Sequence, residues 1–390
     1  MTHQLHPQTL AIRGSKEQTA YNEHHQALFL TSSFMFDNAA DGAALFAKQK
    51  QGYTYSRTAN PTVAAFQTRI AQLERAQAGI ATATGMAAIQ AALLTFLSAG
   101  DHLISSRSLF GTTAGFITGH LMRFGIQVTF VSQTDVSEWE KAIQPNTKML
   151  FLETPSNPLG EVADLEALAK LSHKNNALLA VDNCFCSSAV QQPLKFGADL
   201  SIQSATKAID GQGRVLGGIV CGNVDLVQQM ALYVNSMGIS LSPFNAWVLL
   251  SGTETMMLRV REQNESALKI AQYLQKHAKI KQVYYSGLPE NPQADLVQKQ
   301  QSGGGAVLAF EVYGGQAEAW KVIDSVQIFS KTANFGDVRS TITHPYTTTH
   351  GRMSPEDKAA SGIGEGLIRV AIGLEYVDDL IWDLEQALAA

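Results

Sequence analysis

Two stretches decide the fold: Ala177-Leu-Leu-Ala-Val-Asp182 and Asp199-Leu-Ser-Ile-Gln-Ser-Ala-Thr-Lys207. The first is a continuous apolar run ending on an acid, the pattern of a parallel strand buried on both faces. The second alternates Leu200 and Ile202 with Ser201 and Gln203, then leaves Ser204, Thr206 and Lys207 at the strand's end. Residues at the carboxyl ends of such strands line the crevice where α/β folds bind ligands. Two hydroxyls so spaced can both donate to a phosphate oxygen, and an amine beside them can form a Schiff base with an aldehyde. Alone, the second stretch reads equally well as a surface lysine after a strand. Asp182 tips the balance, because a pyridine ring that must withdraw electrons needs a carboxylate against its nitrogen.

Outward from these strands the signals alternate. Strand patterns at 79–83, 102–105, 128–131, 149–152, 178–181, 200–202 and 219–221 are interleaved with helical patterns at 87–97, 112–124, 136–143 and 165–174. That alternation predicts a mainly parallel sheet with helices on both faces. Asn60-Pro61 is a helix start, with Asn as N-cap and Pro at the first helical position, continued by Val63, Phe66, Ile70 and Leu73. After Pro243 a long helical pattern through Leu258, Ala267 and Leu274 leads to a smaller α/β unit. This contains 306–312, a helix at 317–323, the strand Leu367-Ile-Arg369-Val-Ala-Ile and a last helix at 377–389. We therefore expect an arm at 1–59, a first domain at 60–256 and a C-terminal domain at 257–390. The arm has few apolar runs, Thr31-Ser-Ser-Phe-Met-Phe being the clearest extended piece, and is expected to lie on another subunit.

The 390 residues are 45% hydrophobic and 16% charged, with net charge −5, which describes a globular chain without a nucleic-acid surface. Met1-Thr-His-Gln-Leu-His-Pro lacks a basic start and an apolar core, so no secretion signal is expected. The longest apolar stretch, 86–97, is too short to span a bilayer. Three cysteines suit a cytoplasmic protein, with Cys184 and Cys186 read as semi-buried packing residues. His344 and His350 flank a loop at no metal-ligand spacing, and no metal is expected. Gly211-Gln-Gly213 does not follow the strand-to-helix turn that a dinucleotide fingerprint requires.

Several candidate residues stand out on chemistry. Tyr55 and Arg57 alternate about Ser56, so an extended backbone would point a phenol and a guanidinium the same way, a phosphate clamp. Thr84-Gly85-Met86 lies at a strand-to-helix turn, where backbone N–H groups can approach an anion. Arg369 sits inside an apolar strand, and a buried charge there requires an anion, supplied by the fold or by a substrate.

The motifs Tyr55-Ser-Arg57, Thr84-Gly85-Met86, Glu153-Thr-Pro-Ser-Asn157-Pro, Val181-Asp182-Asn183 and Ser204-Ala-Thr-Lys207 resemble, in order and spacing, the Cys/Met-metabolism family of PLP-dependent enzymes. The resemblance covers nearly the whole chain. It implies a fold-type I PLP-dependent transferase whose larger domain holds a seven-stranded-type sheet, with pyridoxal 5′-phosphate bound covalently to Lys207. It further implies that Tyr55, Arg57, Gly85, Met86, Phe110, Asn157, Asp182, Ser204 and Thr206 contact the cofactor. Lys207 and Tyr55 would be catalytic, and Asn334 and Arg369 would bind the substrate α-carboxylate. Tyr55 and Arg57 would reach the neighbouring subunit's site in a tetramer built of catalytic dimers. Phe110-Gly-Thr-Thr113, Asp182-Asn-Cys-Phe-Cys186 and Ile209-Asp-Gly-Gln-Gly-Arg214 most resemble the subgroup that couples O-succinylhomoserine with sulfide to form homocysteine. Cystathionine γ-synthase, a methionine γ-lyase, O-acetylhomoserine as substrate and a catalytically silent regulator are the alternatives. Phe110 stands where family lyases and synthases stack a tyrosine, and Gly115 where succinyl-dependent synthases often carry an arginine. Arg107 and Arg57 are both candidates to meet a succinyl carboxylate.

Overall fold

In the computed structural model, which describes residues 5–15 and 19–390, every apolar run read as a strand in the larger domain is one. Met1–Gln4, read above for a secretion signal, and 16–18 of the arm lie outside the described residues. The strands are β1 (Ala78–Thr82), β2 (His102–Ser106), β3 (Gln127–Val131), β4 (Thr147–Glu153), β5 (Leu178–Asp182), β6 (Leu200–Ser204) and β7 (Gly218–Gly222). They form one sheet in the order β1-β7-β6-β5-β4-β2-β3. β7 runs antiparallel to β1 and β6, and the other pairs are parallel. The apolar runs are continuous because both faces are covered. Ala180, Leu200 and Ile202 pack with Ala88, Ala92 and Leu93 of the helix Gly85–Leu94. Leu150, Leu179 and Val181 pack on the other face with Trp139, Leu165 and Leu168.

A second sheet follows, from β8 (Ile280–Tyr284), β9 (Val307–Val312), β10 (Ser330–Lys331), β11 (Thr341–Thr343) and β12 (Leu367–Ala371), in the order β10-β11-β12-β9-β8. Leu308, Phe310, Ile368 and Val370 form its core with Ala319, Val322, Leu380 and Leu384 from two helices. The two sheets are linked by one unbroken helix of 33 residues, Pro243–Gln275. Its first half (Ala246, Leu249, Leu250, Met256) belongs to a core on the larger sheet, and its second half (Ala267, Ile270, Ala271, Leu274) to the core of the smaller one.

Three expectations need correction. The 112–124 pattern is not one α-helix: Gly111–Phe116 is α-helical, Ile117–Leu121 is a π-helix and Met122–Phe124 a 3-10 turn. Gly115 and Gly119, with Ile117 and Thr118 between them, are weak helix formers in mid-run. The helix expected at 87–97 starts two residues earlier, because the Thr84 hydroxyl caps it by accepting from the Ala87 N–H at 3.0 Å. The third correction concerns Tyr55 to Arg57, which are not extended: the Thr58 N–H donates to the Tyr55 carbonyl at 2.9 Å and closes a turn. The two side chains still meet, with the Arg57 guanidinium 5.5 Å from the Tyr55 ring centre. Asn60 caps Pro61–Glu74 as expected, accepting from the Thr62 N–H. In the arm, Ser33 bridges to Tyr55, while Tyr21, Leu30, Met35 and Phe46 are exposed.

Candidate active site

The strand ends supply the first wall. Asp182, the last residue of β5, is 5% exposed, and its Oδ1 accepts from the Cys184 N–H at 3.0 Å. Glu153, the last residue of β4 and the register partner of Asp182, is as deeply buried. Its Oε2 accepts from the Phe110 N–H at 2.7 Å, which ties the head of the helix Gly111–Phe116 to the sheet. Two buried carboxyls side by side cannot both ionise cheaply. Burial and then the charge of Asp182 push Glu153 well above the usual range, while Asp182 is raised less, being held down by Cys184 and Lys207. Glu153 is therefore the protonated partner and Asp182 the carboxylate.

Beside Asp182, β6 delivers Ser204. Its N–H donates to Cys184 Sγ at 2.9 Å, so Cys184 is more than a packing residue. Burial keeps the Cys184 thiol protonated by raising its pKa well above normal. Gly85, first residue of its helix, meets Ser204 so closely that a Cβ there would lie 2.6 Å from Ser204 Cβ and 2.8 Å from Oγ. Glycine alone permits this approach of a positive helix end to a hydroxyl. Met86 follows, its sulfur accepting from the Thr113 hydroxyl at 3.8 Å. Thr206 exchanges hydrogen bonds with the Gly217 backbone, its hydroxyl donating at 3.3 Å and accepting at 3.2 Å.

Lys207 is met by the second domain. Its Nζ donates to Asn334 Oδ1 at 2.5 Å and lies 4.4 Å from the centre of the Phe335 ring. Gly336, at φ +79°, brings its backbone against that of Lys207. Burial lowers the Lys207 pKa to about 8. Arg369, 1% exposed in mid-β12, donates through Nη1 to Asn157 Oδ1 at 3.1 Å and through Nη2 to the Ala333 carbonyl at 2.6 Å. Its buried Nε has no hydrogen-bond partner among the described residues. Burial brings its pKa down to about 10. His350 completes this side: it is 2% exposed, its Nδ1 pairs with the Thr349 hydroxyl at 2.9 Å, and burial followed by the charge of Arg369 drops its pKa to about 4.

Of the residues singled out in the sequence, Asp182, Ser204, Lys207, Gly85, Asn157, Asn334 and Arg369 thus converge, with Phe110 tied in through Glu153. Tyr55 and Arg57 instead lie at the surface, where Arg57 donates to the Asn235 carbonyl at 2.6 Å. Arg107 is paired with Glu138 at 3.3 Å. Glu153, Phe335 and His350 went unassigned in the sequence. Glu153 carries the signal that singled out Asp182, an acid closing an apolar strand, whereas Phe335 and His350 sit in loops with no such pattern.

The chain matches the model of the Cys/Met metabolism PLP-dependent enzymes over residues 8–389, and it belongs to that family. Among its relatives, the O-succinylhomoserine sulfhydrylase of Pseudomonas aeruginosa is 51% identical, the alignment covering 98% of this chain and 95% of that one. The L-methionine gamma-lyase of Fusobacterium nucleatum subsp. polymorphum is 39% identical over 97% of both. Among solved structures, a Campylobacter jejuni protein described as an O-acetylhomoserine (thiol)-lyase superposes with a TM-score of 0.95 at 32% identity. It covers 99% of this chain and 100% of its own, and carries N′-pyridoxyl-lysine-5′-monophosphate. The present fold is accordingly that of a fold-type I PLP-dependent enzyme. The residues fit the cofactor: Gly85 leaves a cradle at a helix start beside Ser204, Asp182 is a buried carboxylate, and Lys207 is a half-buried amine whose charge acts on it.

Proposed function

We propose that the protein catalyses γ-replacement on O-succinylhomoserine, exchanging succinate for sulfide to give homocysteine. The convergence of Lys207, Asp182 and Arg369 carries the chemistry, and the 51% identical sulfhydrylase supports the choice of substrates. Pyridoxal phosphate, held by Lys207, supplies the electron withdrawal that makes a proton at Cα and a leaving group at Cγ labile.

The chain's own groups do the rest. Gly85, Met86, Ser204 and Thr206 hold the phosphate, Asp182 the ring nitrogen, Asn157 the ring's phenolic oxygen and Phe110 the ring face. Arg369 grips the α-carboxylate bidentately, through its free Nε and the second N–H of an Nη, with Asn334 beside it, and so fixes which bond at Cα lies next to the Lys207 amine. An amine held near pH 8 accepts the Cα proton and returns it readily, since it is poised close to neutrality. Phe110 has no hydroxyl to help an incoming thiol lose its proton. That favours sulfide, which is small and substantially ionised near neutral pH, over cysteine, which would need its own charged subsite.

Tyr55 is assigned as a catalytic and phosphate-binding residue, with Arg57, in the partner subunit's site of a catalytic dimer, two dimers making a tetramer. Their surface position, away from Lys207 in their own chain, supports this. The exchange of cores along the helix Pro243–Gln275 supports the boundary between a cofactor domain at 60–256 and a C-terminal domain at 257–390, beyond an arm at 1–59 whose Ala11 is buried in the larger domain's core. Three unpaired cysteines support a cytoplasmic location. The test is a competition of sulfide and cysteine on O-succinylhomoserine and O-acetylhomoserine, with products resolved by mass. Homocysteine from the succinyl ester is expected; predominant cystathionine, or 2-oxobutanoate with sulfide present, overturns the assignment.

A further inference from the structure

Among the described residues, Phe335 is the one ring that the two cations of the site, Lys207 and Arg369, share. Lys207 Nζ lies 4.4 Å from its centre and the Arg369 guanidinium 5.6 Å, both within cation–π range. The ring is itself fixed, 92% buried among Val307, Ala371, Cys184 and Phe185, whose own ring lies 4.9 Å away at 54°. Its neighbours in sequence hold the same lysine by other means: Asn334 accepts from Nζ, and Gly336 packs on the Lys207 backbone, where a Cβ would come within 2.9 Å of the carbonyl carbon.

From this geometry we infer that Phe335 is a positioning residue for Lys207: its π-face holds the free, protonated amine beside Asn334 whenever the lysine is not joined to the cofactor, and so sets the lysine's basicity. The inference rests on Lys207 being the cofactor-holding lysine. The amine is surrounded by groups of both signs. Asp182, the carboxylate at the end of β5, favours its charged form and Arg369 on β12 opposes it, while Glu153 and Cys184 face it as protonated, neutral groups. Burial opposes it most, and hydrocarbon in place of the ring would leave that burial without the ring's compensation. The ring therefore acts with Asp182, and removing its π-face while keeping its volume lowers the basicity of Lys207.

The consequence is measurable without turnover. The full chain is stripped of cofactor with hydroxylamine, and the rate at which it recaptures pyridoxal phosphate is followed by absorbance from pH 6 to 10. Only the neutral amine attacks, so the rate rises with pH through the Lys207 midpoint, and changes in the cofactor's own ionisation cancel between variants. Phe335→Leu moves that midpoint down by about one pH unit, and Phe335→Tyr, which keeps the face, restores it. A merely structural role would slow capture at every pH and leave the midpoint where it was. An unmoved midpoint in a Phe335→Leu protein of wild-type tetramer mass and circular dichroism overturns the inference. So does a Phe335→Tyr midpoint that falls with that of leucine. Failure of the underlying assignment looks different: Lys207→Ala would then still form the covalent chromophore.

Discussion

Replacing Arg369 by leucine separates a substrate-binding arginine from a structural one, because the two roles predict opposite outcomes for stability. Holding the guanidinium in a fully buried position lowers its pKa from 12.5 to about 10, which at neutral pH penalises the folded protein by about 3 kcal/mol. Leucine removes that penalty. It also leaves Asn157 Oδ1 and the Ala333 carbonyl without their donors, at about 1–3 kcal/mol each. The two effects largely offset, leaving a change between about 1 kcal/mol of stabilisation and about 3 kcal/mol of destabilisation, so the melting temperature should move by only a few degrees. Activity should not survive. Losing two charge-assisted hydrogen bonds to a carboxylate, roughly 1.5–3 kcal/mol each, lowers kcat/KM by about 10²- to 10⁴-fold. Were Arg369 instead the structural counter-ion of Glu153, its loss would cost about 3–5 kcal/mol of stability. The assays are calorimetry and initial rates on O-succinylhomoserine. A strongly lowered melting temperature with kcat/KM within tenfold of wild type would refute the reasoning.

Arg57→Ala and Lys207→Ala should each be nearly inactive, yet subunits mixed after dissociation should recover part of the activity, since one site of each hybrid dimer then carries neither lesion. No recovery, with hybrids confirmed by mass, would place both residues in one chain's site. Gly85→Ala puts a methyl into Ser204, and an overpacking cost of about 1–3 kcal/mol should appear as about ten- to hundredfold weaker cofactor retention on dialysis, read by absorbance. Glu74 is buried beneath β6, where desolvation raises its pKa from 4.5 to about 7. An acid raised in the folded state contributes full stability below pH 4.5, lost as pH rises through about 7. Glu74→Gln should therefore match wild type in melting temperature near pH 4.5 and exceed it above pH 7, by about 3 kcal/mol; parallel pH profiles would exclude Glu74 as the source.

The larger sheet was legible because a strand covered on both faces must be apolar throughout. Its carboxyl ends were legible because an acid or lysine breaking such a run has no packing reason to be there. Asp182 and Lys207 were found that way. Glu153 obeys the same rule, as the acid that closes the apolar run of β4. Arg369 was visible as a charge in an apolar strand, but its partners come from the Asn157 loop and from Ala333, and no local pattern encodes a contact between segments so far apart. The same holds for Phe335, an unremarked aromatic in a polar loop whose meaning depends on what the second domain is pressed against. Tyr55 and Arg57 illustrate the converse: their alternation suggested extension, and a local Tyr55–Thr58 turn won.

The helix Pro243–Gln275 has a consequence for how the chain unfolds. At a rise of about 1.5 Å per residue it is a rod about 50 Å long, and neither half of it is amphipathic toward the same partner. Melting either core strips the apolar stripe that stabilises that half of the rod, and fraying of the rod exposes the stripe of the other. The two cores are thereby tied to one another's stability, so calorimetry should show a single endotherm rather than two, and cleaving the polypeptide in mid-helix should decouple them into separate transitions.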